Sequence, residues 1–227
     1  MKLPEKIVNG LIRTLVRTVC RIDAAELERV PARGPLIIAT NHVTFLEAPV
    51  VYTHLMPRPL TAFSKTETWD NPILGWLFDL WEIIPIKRGE ADLAALRKGM
   101  NALDEGMILT IAPEGTRSYT GILAEGHPGV VMVALKSDAP ILPVATYGHE
   151  NLGQNLKRLR RTDFNIRVGR PFRLKKPEGK VNREIRRKMT DEIMYQIAVL
   201  LPEQYRGVYA DPAKASTTYL EFENETS

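Results

Sequence analysis

Leu36-Ile37-Ile38-Ala39-Thr40-Asn41-His42-Val43-Thr44-Phe45-Leu46-Glu47-Ala48-Pro49 is an apolar run that stops at a histidine, with a carboxylate five residues further on. The first four residues have the character of a short buried strand. Pro49 marks the start of the next helix, because proline is tolerated only in a helix's first turn. Residues five apart on a regular helix point about 140° away from each other. His42 and Glu47 therefore meet only if a turn bends the chain between them. One reading is a general base with its orienting carboxylate. The other is a capping histidine beside an unrelated surface glutamate.

The surrounding chain repeats this strand-then-helix pattern. Leu60–Thr66 reads as a second strand with Lys65 at its end, and Ile83-Ile84-Pro85-Ile86-Lys87-Arg88-Gly89 as another with two cations at its end. Residues 91–105 carry Leu93, Leu96, Met100 and Leu103 at helical spacing, closed by Gly106. Met107–Ala112 reads as a buried strand running into Pro113-Glu114-Gly115-Thr116-Arg117-Ser118. Val130–Lys136 follows as a helix and Pro140–Thr146 as a strand. This alternation predicts an α/β fold, a central mostly parallel β-sheet flanked by helices. Ligands bind such sheets outside the carboxyl ends of the strands. His42, Lys65, Arg88 and Glu114–Arg117 all follow expected strands, so one crevice can collect them.

Lys2–Ile22 is expected to be an N-terminal amphipathic helix. Lys6, Arg13, Arg17 and Arg21 fall on one side; Ile7, Val8, Leu11, Ile12, Leu15, Val19 and Ile22 fall on the other. That pattern suits the surface of an anionic membrane, and equally a helix packed on its own domain. Asn71–Ile86, with Trp76, Phe78 and Trp81, reads either as a lipid-facing surface or as core. Residues 157–188 are strongly basic, and residues 183–201 form an amphipathic helix. The polar, acidic end is expected to be a loose tail. The organisation is thus residues 1–29 as interface helix and connector, 30–210 as the main domain, and 211–227 as tail.

The 227 residues suit one α/β domain, and a hydrophobic content of 44% is enough to build its core. A net charge of +4 favours anionic partners such as phosphorylated substrates or acidic lipids. No nucleic-acid-binding signature accompanies the basic region, so no nucleic acid is expected. The lone Cys20 excludes an internal disulfide and a cysteine-based zinc cluster. No stretch approaches the ~20 apolar residues of a spanning helix. The expected location is peripheral, on the cytoplasmic face of a membrane. The Gly-x-Ser-x-Gly elbow, the Walker A loop and His-Glu-x-x-His are all absent from the sequence.

A histidine–carboxylate pair without a protein nucleophile suggests that the substrate supplies the hydroxyl. The histidine takes its proton, and the carboxylate fixes the imidazole tautomer. Nearby arginines suit a phosphate. At this point the residues resemble the glycerolipid acyltransferases of the 1-acyl-glycerol-3-phosphate acyltransferase type. Asn41-His42-x-x-x-x-Glu47 resembles the first motif of that family, His-x-x-x-x-Asp. Ile84-Pro85-Ile86-Lys87-Arg88 resembles the second, Pro113–Ser118 the third, and Ala139-Pro140-Ile141-Leu142-Pro143-Val144 the fourth. The segment around Lys65 resembles one carrying a further phosphate-contacting lysine.

The resemblance implies His42 and Glu47 as catalytic residues. It implies Lys65, Arg88, Glu114, Gly115, Thr116, Arg117 and Pro143 as substrate-binding ones. It further implies a lysophospholipid acceptor, most simply 1-acylglycerol-3-phosphate, an acyl-CoA or acyl-carrier-protein donor, and neither metal nor bound cofactor. One position departs from the pattern: Glu47 stands where the family has Asp. The extra methylene extends the carboxylate by roughly 1.5 Å, and ~1 Å of misplacement can cost ~100-fold in rate. A catalytically weak or silent lipid-binding relative is therefore one alternative, and an acyl-thioester hydrolase that uses water as the acceptor is another.

Overall fold

The computed structural model describes residues 3–87 and 92–223. Arg88 and the last four residues of the tail lie outside the described residues. The strands are β1 (Cys20–Asp23), β2 (Leu36–Thr40), β3 (Leu60–Lys65), β4 (Ile84–Ile86), β5 (Ile108–Ile111), β6 (Ile141–Tyr147), β7 (Thr162–Val168), β8 (Phe172–Leu174) and β9 (Leu220–Phe222). The helices are α1 (Leu3–Val19), α2 (Glu47–Leu55), α3 (Pro72–Leu80), α4 (Leu93–Asp104), α5 (Gly129–Ser137), α6 (Leu152–Lys157) and α7 (Arg183–Ala198).

All five residues of β2 are buried, which is why its sequence is apolar without alternation. Its side chains still alternate in direction. Ile37 and Ala39 join the core cluster built with α4, α5 and α7. Leu36 and Ile38 join the one built with α1 and α2. The sheet order is β1-β7-β6-β2-β5-β3-β4, with β8 against β6 and β9 against β8. Strands β6, β2, β5, β3 and β4 are mutually parallel, as expected. The β6–β7, β6–β8 and β8–β9 pairs are antiparallel.

Three expectations need correction. The first helix ends at Val19, and Cys20–Asp23 turns into β1, pairing parallel with β7. Long-range partners decide this: Arg21 meets Asp163 at 2.6 Å, and Arg161 donates to the carbonyls of Arg17 and Cys20. Residues 1–29 accordingly contribute a strand to the main sheet rather than standing apart from it. The tail is likewise tied down, since Leu220, only 3% exposed, sits in β9 against β8.

The apolar residues of α1 split between two surroundings. Val16 is buried, and Ile12 and Val19 pack against the core, whereas Ile7, Leu11 and Leu15 are exposed. The buried Asn9 accepts a hydrogen bond from Trp81 Nε1 at 2.8 Å, locking α1 onto the domain. The aromatic region divides in the same way. Trp81 is fully buried and stacks on Tyr52, while Ile73, Leu74 and Trp76 on α3 face out.

Candidate active site

The connections after β2, β5 and β6 meet at the carboxyl edge of the sheet. Asn41 extends the β2–β6 ladder with its side chain. Its Nδ2 donates to the Thr146 carbonyl, and its Oδ1 accepts from the Thr146 amide, both at 2.8 Å. The next residue, His42, is thereby held at the strand end. Its carbonyl accepts from Ser118 N–H at 2.8 Å, and its own amide donates to Glu114 Oε1 at 2.9 Å.

Glu47 opens α2 and reaches back over the turn. Its Oε1 accepts from the amides of Val43 (3.0 Å) and Thr44 (2.7 Å), and its Oε2 meets His42 Nδ1 at 3.1 Å. A second histidine completes the arrangement: His149 Nε2 lies 2.5 Å from Glu47 Oε1. Glu47 is 5% exposed and His149 is wholly buried. Burial alone would push the Glu47 carboxyl up. Hydrogen bonds from His149 and His42, together with the charge those rings carry when protonated, bring it down to about 2.

An ionised carboxylate can only accept, so both ring nitrogens facing it carry hydrogen. That places the His42 proton on Nδ1 and leaves Nε2 as the basic atom, on a ring that is one-quarter exposed. His149 is stacked on Phe164 at 4.2 Å, and its Nδ1 has no hydrogen-bond partner among the described residues. Sequence reasoning does not single out His149. The available signal is its position, two residues past the end of β6; its meaning depends on β6 lying beside β2.

The other expected site residues are placed as follows. Glu114 is buried, and both of its carboxylate oxygens are engaged by backbone amides. Its Oε1 holds the His42 amide and its Oε2 the Ala124 amide at 3.0 Å, so it fixes the backbone of the turn. Burial raises its pKa, and those two amides pull against that rise. Replacing Glu114 by alanine leaves two amides without their partner, at ~1–3 kcal/mol each. The expected loss is about 2–6 kcal/mol in urea unfolding. A raised acceptor KM with unchanged stability would instead restore a substrate-binding role.

Gly115 makes the sharp turn at φ +68°, where a side chain would be strained. Its amide is already donated to the Ala112 carbonyl. Thr116 is exposed and Arg117 half-buried on the same connection, and Arg117 has no ion pair among the described residues. Lys65 is exposed at the end of β3, separated from β2 by β5, hence about 10 Å away at normal strand spacing. Pro143 is not at the edge. It is buried within β6 where the antiparallel partner changes from β7 to β8, so its missing N–H falls at a gap in the ladder, and its carbonyl accepts from Gly169.

A histidine held by a buried carboxylate on this sheet edge, its Nε2 left free to accept a proton, is an arrangement able to do general-base chemistry on a hydroxyl. The Acyltransferase family model matches residues 21–147, and the chain belongs to that family. It is 30% identical over 132 residues to a chloroplastic 1-acyl-sn-glycerol-3-phosphate acyltransferase of Arabidopsis thaliana, covering 56% of this chain and 36% of that protein. It is 31% identical over 151 residues to the lyso-ornithine lipid O-acyltransferase of Pseudomonas aeruginosa, covering 63% of this chain and 57% of that protein. The crystal structure of the 1-acyl-sn-glycerophosphate acyltransferase PlsC from Thermotoga maritima shares the fold with a TM-score of 0.57 at 20% identity, covering 83% of this chain and 78% of that one. The chain spans little more than a third of the chloroplast relative it matches.

Proposed function

We propose that this chain transfers a fatty acyl group from a thioester to the hydroxyl of a lysophospholipid, most simply 1-acylglycerol-3-phosphate. His42 Nε2 takes the hydroxyl proton, and the oxygen attacks the thioester carbonyl to form the new C–O bond. The tetrahedral intermediate then collapses, the C–S bond breaks, and the leaving thiolate takes the proton back from the imidazolium. Glu47 keeps the imidazole in the required tautomer and stabilises its charged form. Arg117 and Lys65, with Arg88, are assigned to the acceptor's phosphate.

The observation that carries this reading is the seating of Glu47. Four donors hold it, one of them His42, so the longer side chain does not leave the base unsupported. This weighs against a silent relative. Exposed Phe45 beside the base, Ile7, Leu11 and Leu15 on α1, and Ile73 and Trp76 on α3 support work on the surface of an anionic membrane. No helix among the described residues is long and apolar enough to cross one. The location we propose is peripheral, on the cytoplasmic face.

The test is a donor-by-acceptor panel read by product mass. Acyl-CoA and acyl-carrier protein are each offered with 1-acylglycerol-3-phosphate and with lyso-ornithine lipid, on anionic vesicles. Diacyl product is expected, with the phosphate acceptor preferred. Free fatty acid released at the same rate without any acceptor would make the protein a hydrolase. No turnover with retained vesicle binding would make it a lipid-binding relative.

A further inference from the structure

The base sits near the middle of the sheet edge, and Arg117 and Lys65 lie on one side of it, on the connections after β5 and β3. On the other side, beyond β6, is a cavity of about 540 Å³ lined by Arg21, Arg158, Arg160, Arg161, Asn151 and Gln154. We propose that this cavity seats the phosphates of the acyl donor, a thioester whose thiol is carried on a phosphorylated adenine nucleotide. The proposal rests on the acyltransferase reading and adds where the donor's handle binds.

The charge arithmetic of the cavity points to an anion with more than one negative charge. Its one carboxylate, Asp163, is taken by Arg21 at 2.6 Å. Arg161 is held by two main-chain carbonyls, those of Arg17 (2.7 Å) and Cys20 (2.6 Å), which fix the guanidinium without neutralising it. Arg158 and Arg160 have no ion pair among the described residues. Three guanidinium charges are therefore left uncompensated around one concavity. Between Arg158 and Arg160, Leu159 is held at φ +52°, an unfavourable conformation for a bulky residue. The side-chain amides of Asn151 and Gln154 add neutral donors and acceptors of the kind a nucleobase or ribose uses, while Asn155 Nδ2 is committed to Thr162 Oγ1. The volume falls within the ~300–1,000 Å³ of ordinary ligand sites.

Position connects the cavity to the chemistry. Gly148 lines it, and the next residue, His149, touches Glu47. The β6–α6 connection is thus a shared wall between cavity and base. A transfer between two phosphorylated substrates needs two separate anion sites, with the reacting carbonyl and hydroxyl converging on the histidine from opposite sides. The sheet order supplies this: Arg117 and Lys65 follow β5 and β3, while the cavity lies by β6, β7 and β1.

The test uses the full chain and its Arg158→Ala/Arg160→Ala double variant, both residues being exposed. Adenosine 3′,5′-bisphosphate is the binding probe in calorimetry, with inorganic phosphate as a control. The probe is expected to bind the wild type, compete with acyl-CoA, and bind the variant at least about tenfold more weakly. KM for acyl-CoA should rise by a similar factor while KM for 1-acylglycerol-3-phosphate does not. No binding of the probe, equal binding of the probe and phosphate, or a rise in the acceptor KM instead would each overturn the assignment. So would a variant that loses vesicle binding but keeps its KM for a short, soluble acyl-CoA, since the cavity would then hold lipid headgroups. A variant impaired only with acyl-carrier protein would make it a protein-docking surface and likewise overturn it. Probe binding is read without turnover. A wild type that binds the probe but transfers no acyl group would refute the acyltransferase reading and leave the nucleotide site standing.

Discussion

Replacing His42 by alanine is expected to lower kcat for acyl transfer by about 10²–10⁴-fold, the range that a positioned general base supplies. The mechanism has His42 take the hydroxyl proton and return it to the leaving thiolate, and no other group among the described residues of the site is placed to carry it. His149, the other histidine at Glu47, is wholly buried and cannot reach a substrate. The variant should keep its fold, because Glu47 retains the amides of Val43 and Thr44 and the His149 ring, so no buried carboxylate is orphaned. KM for the acceptor should change little, as the phosphate contacts are assigned elsewhere. The measurement is steady-state kinetics with thermal unfolding alongside. Equal rates in wild type and variant would remove His42 from the mechanism. Lost activity accompanied by a collapse in Tm would say only that the turn had come apart.

What the sequence made legible follows the range of the forces involved. The run Leu36-Ile37-Ile38-Ala39 announces a buried strand by itself, and the His42–Glu47 spacing announces a turn because no helix brings residues five apart together. Both are local statements, and both match the structure. The end of α1 is not local. Helical periodicity continues through Ile22, and only the pairing of Cys20–Asp23 with β7 ends the helix at Val19. In the tail, the alternation Leu220-Glu221-Phe222 is a strand signal hidden within an acidic composition.

Glu114 illustrates a different limit. A carboxylate beside a cationic motif reads as part of a binding loop, and only its burial and its two amide partners reveal a structural role. Gly207 is similar. A side chain there would collide with the Leu123 carbonyl, a clash invisible without the fold. His149 was beyond reach because its importance depends on sheet order. It stands 102 residues from Glu47, and nothing in the intervening sequence says that β2 and β6 are neighbours.

Glu47→Gln is expected to be the most damaging change that preserves shape. The amide keeps an oxygen for Val43, Thr44 and His149, but it presents an NH₂ group to His42 Nδ1. The ring then offers its lone pair at Nδ1 and carries hydrogen on Nε2, the atom that must accept the substrate's proton. Loss of the correct tautomer costs about 10⁴-fold in kcat where it has been isolated in a histidine–carboxylate pair, and a fall of that order is expected here with little change in KM.

The same substitution should alter acid stability in a defined direction. The folded-state pKa of Glu47 is lowered from 4.5 to about 2, which corresponds to about 3 kcal/mol. That stabilisation is complete above pH 4.5 and is lost as the pH falls toward 2. Glu114, raised by burial, opposes it by favouring the folded state on protonation. With Gln at this position the wild-type decline should flatten across this window in urea unfolding. An unchanged slope would mean that Glu47 is not held as a buried anion.

Glu47→Asp separates the charge from the reach. The carboxylate withdraws by roughly 1.5 Å, and the fully buried His149, stacked on Phe164, is not free to follow it. The shorter side chain can then serve His42 or His149 but not both, and a loss of ~100-fold is expected from misplacement at the base. Adding His149→Gln to the Glu47→Asp variant should recover part of that loss by freeing the carboxylate for His42. A single Glu47→Asp variant faster than the wild type would mean that Glu47 is a handicap. A slow one, partly rescued by the second change, would mean that Glu47 and His149 are fitted to each other.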